Sequence, residues 1–170
     1  MSEPDQPNIS PHLWEKSYPA EIAWDAPLAA GAMSELMDSA AKKYGNRPAI
    51  DFMDRIFTFS EVADLVNRAA KGLQALGVKK GSRVGLMLPN CPTMVISYYA
   101  VLKAGGTVVN FNPLYAEQEI REQIEDSGCE TMITLDMPQI YDKAAKMLGN
   151  TCLNKIVLSS MADQLPFPKH

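Results

Sequence analysis

The chain has 170 residues, of which 46% are hydrophobic and 21% are charged, and its formal net charge at pH 7 is −4. This composition is typical of a folded globular domain, and it excludes both a disordered chain and a basic surface that would hold nucleic acid. The sequence also lacks an apolar run of about 18 residues, the length that a membrane-spanning helix needs.

Residues 1–30 are predicted to form an extended arm. Five of the 12 prolines lie between Pro4 and Pro27, and proline both fixes φ and lacks the N–H that a helix needs. Large apolar side chains are interleaved with these prolines: Trp14, Tyr18, Ile22 and Trp24. Both an arm that packs against a protein surface and a flexible leader fit this pattern.

Residues 31–165 are predicted to form one α/β subdomain, which begins with two helices. Ser34 is expected to cap the first helix, and Gly45 ends it. Ser60 is expected to cap the second helix, which carries one apolar face and ends at Gly77.

The rest of this subdomain is predicted to contain a hairpin and a parallel sheet. Two β-rich runs, residues 48–53 and 56–59, flank Asp54-Arg55 and predict the hairpin between the two helices. Beyond the second helix, predicted strands cover residues 83–88, 107–111, 130–135 and 155–159, and predicted helices cover residues 92–103, 117–127 and 139–148. This alternation indicates an α/β fold with a mostly parallel sheet and helices on both faces.

Residues 166–170 are predicted to be a truncated loop. They are rich in proline and follow a strand that no further helix covers, so we expect the chain to be a fragment of a longer one. A short natural tail after a terminal strand is the alternative.

Few residues of this chain are suited to catalysis. Cys91, Cys129 and Cys152 are too widely spaced for a CxxC site, and we expect them to be reduced thiols in a cytosolic protein. His12 and His170 lie near the two ends, which disfavours a histidine-based catalytic core. Neither a glycine-rich phosphate loop nor a G-x-S-x-G nucleophile motif is present. We therefore predict no catalytic residue and no metal site.

One loop is a candidate binding element. The segment Asn110-Phe111-Asn112-Pro113-Leu114-Tyr115 follows a buried strand and precedes a helix. It therefore lies at the carboxyl end of a parallel strand, where α/β proteins bind ligands. Asn112 precedes a proline, which favours an extended backbone. A turn in which the Asn side chains bond the local backbone is the alternative interpretation.

Several local sequences, in this order, resemble the N-terminal part of the adenylate-forming enzymes, the acyl-CoA synthetase group. The segments that carry the resemblance are Trp14–Ala20, Phe57–Val62, Leu76–Val84, Leu88–Asn90, Leu102–Val109, Asn112–Tyr115 and Asp126–Gly128. The first core motif of the family is similar to Phe57–Val62 and the second to Leu102–Val109, whereas Ser82 stands where aspartate is usual. The segment Asn112–Tyr115 is close to the long-chain fatty-acid–CoA ligases in particular.

The resemblance implies a two-step reaction in the parent enzyme. A fatty acid and Mg²⁺-ATP form an acyl-adenylate and pyrophosphate, and coenzyme A then takes the acyl group as a thioester and releases AMP. The family's phosphate loop, its ribose-binding aspartate and its catalytic lysine have no counterpart in these 170 residues. The fragment is therefore expected to be inactive on its own and to bind none of these cofactors tightly.

The resemblance also implies a site and partners. In related enzymes the loop after the second core motif lies near the coenzyme A channel, which makes Asn112, Pro113, Leu114 and Tyr115 the expected cofactor-binding residues. The expected partners are the missing remainder of the chain, fatty acid, ATP and coenzyme A, and apolar surface on a cut sheet favours a homodimer. A cytoplasmic enzyme is expected, with at most peripheral contact at the inner face of the membrane.

Three alternatives stay open at this point. The chain could derive from another acid–CoA ligase or from an adenylation domain. It could also be a stand-alone, non-catalytic α/β scaffold or binding module.

Overall fold

The computed structural model describes residues 12–28 and 30–166. The chain divides into two compact units, Met1–Gly31 and Ala32–His170. Of the predicted terminal loop, residues 167–170 lie outside the described residues.

The described part of the first unit contains an aromatic cluster and a short helix. The imidazole ring of His12 stacks on the indole of Trp14, with ring centroids 4.3 Å apart, and meets Trp24 edge-on at 5.2 Å. Leu13–Ser17 forms a 3-10 helix, whereas the sequence predicted an extended backbone. This stretch contains no proline, so its N–H groups are available for short helical bonds.

Within the described residues, the second unit has five α-helices, a two-stranded hairpin and a four-stranded sheet. In chain order the elements are α1 (Glu35–Tyr44), β1 (Pro48–Phe52), β2 (Arg55–Thr58), α2 (Phe59–Ala75), β3 (Arg83–Met87), α3 (Pro92–Lys103), β4 (Thr107–Phe111), α4 (Glu117–Ser127), β5 (Thr131–Leu135), α5 (Pro138–Met147), β6 (Lys155–Ser159) and a 3-10 helix (Ala162–Gln164). From β3 to β6, each boundary lies within one residue of its prediction.

The strands of the larger sheet are parallel and lie in the order β4-β3-β5-β6. The chain therefore runs outward from β3 to β4, crosses back to β5 on the other side of β3, and continues to β6. Helices α2 and α3 pack on one face of the sheet, and α4 and α5 pack on the other. The predicted fold class is thus confirmed.

Burial on both faces explains the apolar run of β3. Val84 and Leu86 pack into the core under α2 and α3, whereas Met87 packs into the core under α4 and α5. Gly85 faces the core under α4 and α5, where an added Cβ would lie 2.9 Å from both the Sγ atom of Cys129 and Cε2 of Phe111. This close approach of strand and ring requires glycine.

The predicted position of the hairpin turn is wrong by one residue. The turn consists of Met53 and Asp54, with φ of 50° and 69°, and Phe52 pairs with Arg55 in the antiparallel register. A two-residue turn with positive φ at both positions matches the right-handed twist of the strands that it joins. Aspartate tolerates this conformation better than arginine does.

The helix starts differ from the prediction, although Gly45 ends α1 as predicted and Ser34 occupies the N-cap position of that helix. Thr58 rather than Ser60 caps α2: its hydroxyl accepts from the N–H of Glu61 at 3.2 Å, and the Glu61 carboxylate accepts from the N–H of Thr58 at 2.7 Å. This capping box starts the helix earlier than predicted. Ser34 has helical dihedral angles and makes no capping bond, and the N–H of the following residue donates instead to the carbonyl oxygen of Ala32 at 2.9 Å.

Candidate functional site

The segments that follow the four parallel strands surround a cavity of about 590 Å³ at the carboxyl edge of the sheet. Because the chain leaves β3 and β5 toward opposite sides, the gap between these neighbouring strands is a topological switch point. Ligands of open α/β sheets bind at such points. We call this cavity the carboxyl-edge crevice. Its lining consists of residues 88–90 after β3, residues 112–114 after β4, Met137, Gln139, Ile140 and Lys143 after β5, and Met161 after β6.

The structure places most of the predicted binding loop on this crevice. Asn112, Pro113 and Leu114 line the cavity. Tyr115 is not among the lining residues, and its side chain is 39% exposed. Leu114 is 85% exposed, so the loop buries little apolar surface of its own.

The side chain of Asn112 has a local structural role. Its Oδ1 accepts a hydrogen bond from the N–H of Leu114 at 3.0 Å, and its carbonyl oxygen accepts from the N–H of Tyr115 at 3.1 Å. This is the turn that the alternative interpretation of the sequence described. The loop therefore has a defined shape, and Asn112 presents its remaining surface to the crevice.

Lys143 is a crevice residue that the sequence analysis missed. Its Nζ donates to the carbonyl oxygens of Pro113 at 3.0 Å and Tyr115 at 2.8 Å, and so connects α5 to the loop after β4. Lys143 lies four residues after Gln139, which also lines the crevice, so the two side chains share one face of α5. This spacing, on a helix that follows a parallel strand, was the available signal.

Asp136, which follows β5, connects its own segment to the segment that follows β6 beside the crevice. Its carboxylate accepts from the Ser160 hydroxyl at 2.6 Å and from the N–H of Met161 at 2.8 Å. These bonds favour the charged form and lower the pKa of Asp136 below its ordinary value. The residue after β5 thereby holds the segment after β6, which carries Met161 onto the wall of the crevice.

The amino end of α3 is occupied by another part of the chain. Its cap residue, Cys91, makes no side-chain capping bond. Instead, the N–H of Thr93 donates to Oε1 of the buried Gln164 at 3.0 Å, and the hydroxyls of Thr93 and Ser159 lie 3.0 Å apart. One of the free donors at this helix end is therefore satisfied inside the fold.

The three cysteines have the properties of unreactive thiols. All three are free, and Cys91 and Cys129 are buried. Desolvation raises the pKa of Cys129 to about 11 and also raises the pKa values of Cys91 and Cys152. Because the thiolate is the reactive form, these shifts oppose nucleophilic chemistry at neutral pH.

A second cavity, of about 650 Å³, is a groove between α2, α3 and the edge strand β6. We call it the edge groove. Apolar side chains such as Leu65, Leu73, Ile96 and Val157 line much of it, and Arg55 and Arg68 lie among its polar residues. In folded proteins, the apolar face of a sheet or a helix is normally covered by another element.

The described residues contain neither a cluster of metal-binding side chains nor a membrane-spanning helix. No three His, Cys, Asp or Glu side chains in the described ranges come together in a way that could hold a metal ion. No helix within those ranges is long and apolar enough to cross a membrane.

The fold and the crevice define the class: an open α/β domain with a crevice at its topological switch point. The sequence profile of the AMP-binding enzyme family matches residues 37–170, and the chain belongs to this family. A long-chain-fatty-acid–CoA ligase of Bacillus subtilis is 40% identical over 157 residues, which are 92% of this chain and 28% of that protein. The resemblance found in the sequence is thus confirmed.

Solved structures give the same result for the fold. An anthranilate CoA ligase in complex with anthranoyl-AMP matches with a TM-score of 0.70 and 26% identity, over 84% of this chain and 27% of that one. A long-chain-fatty-acid-CoA ligase from Archaeoglobus fulgidus matches with a TM-score of 0.69 and 24% identity, over 78% of this chain and 29% of that one. The chain therefore spans less than a third of the length of these relatives.

Proposed function

We propose that this chain is the N-terminal part of a long-chain fatty-acid–CoA ligase. The parent enzyme would join a fatty acid to the AMP moiety of ATP with release of pyrophosphate, and would then transfer the acyl group to the sulfur of coenzyme A with release of AMP. A carboxylate is a poor acyl donor, whereas its adenylate carries a good leaving group. The family match and the 40% identity to the Bacillus subtilis ligase support this proposal.

The two steps are assigned to different parts of the parent enzyme. We propose that ATP and Mg²⁺ bind to residues outside these 170, since the sequence has no glycine-rich phosphate loop. Phosphoryl chemistry needs cations and N–H donors around the pyrophosphate, and that loop would supply the donors. The isolated chain is then inactive.

Coenzyme A is assigned to the carboxyl-edge crevice, with Asn112, Pro113, Leu114 and Tyr115 beside its path. The observation that carries this proposal is the position of residues 112–114 on a cavity at the topological switch point. The pantetheine arm of coenzyme A alternates amide and apolar groups, and the crevice offers apolar side chains together with the amides of Asn90 and Gln139.

The proposed reaction is tested on the full-length parent enzyme with palmitate. We expect pyrophosphate release with ATP and palmitate, followed by a coenzyme A thioester. Activity with an aromatic acid or an amino acid, and none with palmitate, would favour another acid–CoA ligase or an adenylation domain. Pyrophosphate release by the purified 170-residue chain would overturn the assignment of the chemistry to other parts of the parent.

The proposed coenzyme A path is tested by comparing Leu114→Ala with Leu148→Ala. Both side chains are exposed, but only Leu114 lines the crevice. Loss of apolar contact at Leu114 should raise the Michaelis constant for coenzyme A by about three- to tenfold and leave ATP–pyrophosphate exchange with palmitate nearly unchanged. Pro113→Ala and Tyr115→Ala should also affect the second step more than the first. Equal losses in both steps would indicate a purely structural loop.

We also propose that the remainder of the parent chain covers the edge groove. The groove is open, largely apolar and about 650 Å³ in volume, and the relatives supply more than twice the length of this chain as further sequence. A hydrophobic dye should bind the isolated chain and not the full-length enzyme. Equal binding to both would overturn the proposal, and a concentration-dependent dimer of the full-length enzyme that excludes the dye would assign the groove to a second copy.

The cellular location follows from the same assignment. We propose a cytoplasmic enzyme that collects fatty acid by transient contact with the inner face of the membrane. Three free thiols suit a reducing compartment.

A further inference from the structure

We propose that Lys143 is a positioning residue that holds the loop 112–115 across the carboxyl-edge crevice and thereby sets the access of coenzyme A. This inference rests on the proposed function of the crevice.

The ammonium group of Lys143 bonds a distant segment from a firmly packed helix. Its Nζ donates to the carbonyl oxygens of Pro113 and Tyr115 at 3.0 and 2.8 Å, and these residues precede it by 30 and 28 positions. Ile140 and Ala144, on either side of it in sequence, are buried in the core under α4 and α5. The donor is therefore fixed to the sheet, and the acceptors belong to the loop.

The other bonds of this loop do not cross the crevice. The bonds between Asn112 and its neighbours shape the turn from within. At the start of α4, the N–H of Ala116 donates to the carboxylate of Glu119, three residues further along the chain. Of the α5 side chains that the structure describes, only Lys143 bonds residues 112–115.

Packing does not replace this connection. Leu114 is 85% exposed, so the loop has little apolar area with which to hold its position. A loop with few buried contacts opens locally at a small cost in free energy. Removal of the Lys143 ammonium should therefore let the loop move relative to α5, while the sheet and its two cores stay folded.

The test uses three variants of the full-length enzyme: Lys143→Met, Lys143→Arg and Lys146→Met. Methionine keeps an unbranched apolar stem and removes the donors, whereas arginine retains donors for two carbonyl oxygens. Lys146 lies on the same helix and pairs with Glu117, the first residue of α4, at 2.5 Å, without a bond to residues 112–115, so its substitution is the matched control.

Two readouts distinguish positioning from a general loss of structure. In Lys143→Met, hydrogen exchange of the amides of residues 114–116 should rise, and the Michaelis constant for coenzyme A should rise about tenfold, since two charge-assisted hydrogen bonds contribute on this scale. ATP–pyrophosphate exchange with palmitate should change by less than about twofold, because it precedes the coenzyme A step. Lys143→Arg should restore most of both effects, and Lys146→Met should show neither.

Two results would overturn the inference. Equal amide exchange in Lys143→Met and Lys146→Met would mean that other contacts hold the loop. A higher Michaelis constant without faster exchange would mean that Lys143 contacts the ligand directly and does not position the loop. If the unsubstituted enzyme forms no adenylate with any acid, the proposed function fails, and the exchange comparison still decides whether Lys143 positions the loop.

Discussion

Gly85→Ala is expected to destabilise the protein although it adds only one methyl group. Gly85 lies in the middle of β3, and its added Cβ would point into the core under α4 and α5. The Cβ would lie 2.9 Å from Sγ of Cys129 and from Cε2 of Phe111, and 3.2 Å from Cδ2 of the same ring. Attractive contacts between such atoms occur at about 3.5–4.0 Å, so the neighbours would have to retreat by roughly 0.6 Å or more.

The magnitude follows from the burial of these neighbours. Cys129 is 0% and Phe111 is 3% exposed, so neither side chain can turn into solvent. Overpacking of a closed core costs about 1–3 kcal/mol, whereas the loss of glycine freedom in the unfolded chain returns about 0.4–1 kcal/mol. We expect a net loss of about 1–2 kcal/mol in the free energy of unfolding.

The assay is urea unfolding monitored by circular dichroism, with Gly72→Ala as the control. Gly72 lies inside α2, and nothing is within 4 Å of the position of its added Cβ. Gly72→Ala should therefore stabilise the protein by about 0.5–1 kcal/mol. In the Cys129→Ala background, Gly85→Ala should cost less, because one of the two closest contacts is gone. Equal effects of Gly85→Ala and Gly72→Ala would refute the steric reasoning.

Three further predictions concern the cap of α2, the hairpin turn and the hydrogen bonds of Asp136 beside the crevice. Thr58→Ala removes the capping hydroxyl and should lower the unfolding free energy by about 0.5–2 kcal/mol, whereas Ser60→Ala should change it little; the reverse order in urea unfolding would contradict the observed cap. Met53→Gly should stabilise the protein by about 1 kcal/mol in the same measurement, because Met53 has a φ of 50°, and a destabilising effect would show that its side chain compensates for the strain. The bonds from Ser160 and Met161 hold the pKa of Asp136 below its ordinary value, so its carboxylate stabilises the folded state above the ordinary pKa of aspartate and the contribution disappears as the pH falls through the lowered folded pKa. Urea unfolding between pH 2 and 5 should therefore depend less steeply on pH in Asp136→Asn, and identical slopes would count against this role.

The sheet could be predicted from the sequence because local signals agree there. Each of its strands is an apolar run bounded by polar or glycine residues, and Gly105 and Gly128, which follow α3 and α4, have positive φ. Both faces of β5 are buried, which gives a run without alternation between apolar and polar positions. The right-handed crossovers follow from the general rule for parallel sheets, whereas the order β4-β3-β5-β6 was not predicted and is known from the structure.

The hairpin turn could not be located because its position depends on a contact distant in sequence. Arg55 begins β2, where its guanidinium lies 4.4 Å from the ring centroid of Phe57 and donates to the carbonyl oxygen of Leu165 at 3.3 Å. The polarity of Asp54-Arg55 indicated a turn at these two residues. The tertiary contacts instead draw Arg55 into the strand and leave Met53 in the strained position.

The candidate site could be predicted only in part, for a related reason. The position of residues 112–114 after a buried parallel strand was visible in the sequence, and the structure places them on the crevice. The partners of Lys143 and Asp136 lie 24 or more residues away along the chain, in segments that carry no matching pattern. A lysine in the middle of a helix and an aspartate after a strand are ordinary surface residues until the fold gives them acceptors and donors.

Van der Waals packing and hydrogen bonds determine different properties of this domain: packing determines its stability, and hydrogen bonds determine the shape of the crevice. Stability resides in the cores on the two faces of the sheet, where Gly85 is limited by van der Waals distance. The crevice is lined both by residues of those cores, such as Leu88 and Ile140, and by loop residues outside them, and hydrogen bonds that Lys143 donates and Asp136 accepts connect the segments that form its walls. Because such bonds are modest in free energy and local, substitution of either residue should change the shape of the crevice without unfolding the sheet. The same fold can therefore carry crevices of different shape in related enzymes, with the difference located in residues that the core does not constrain.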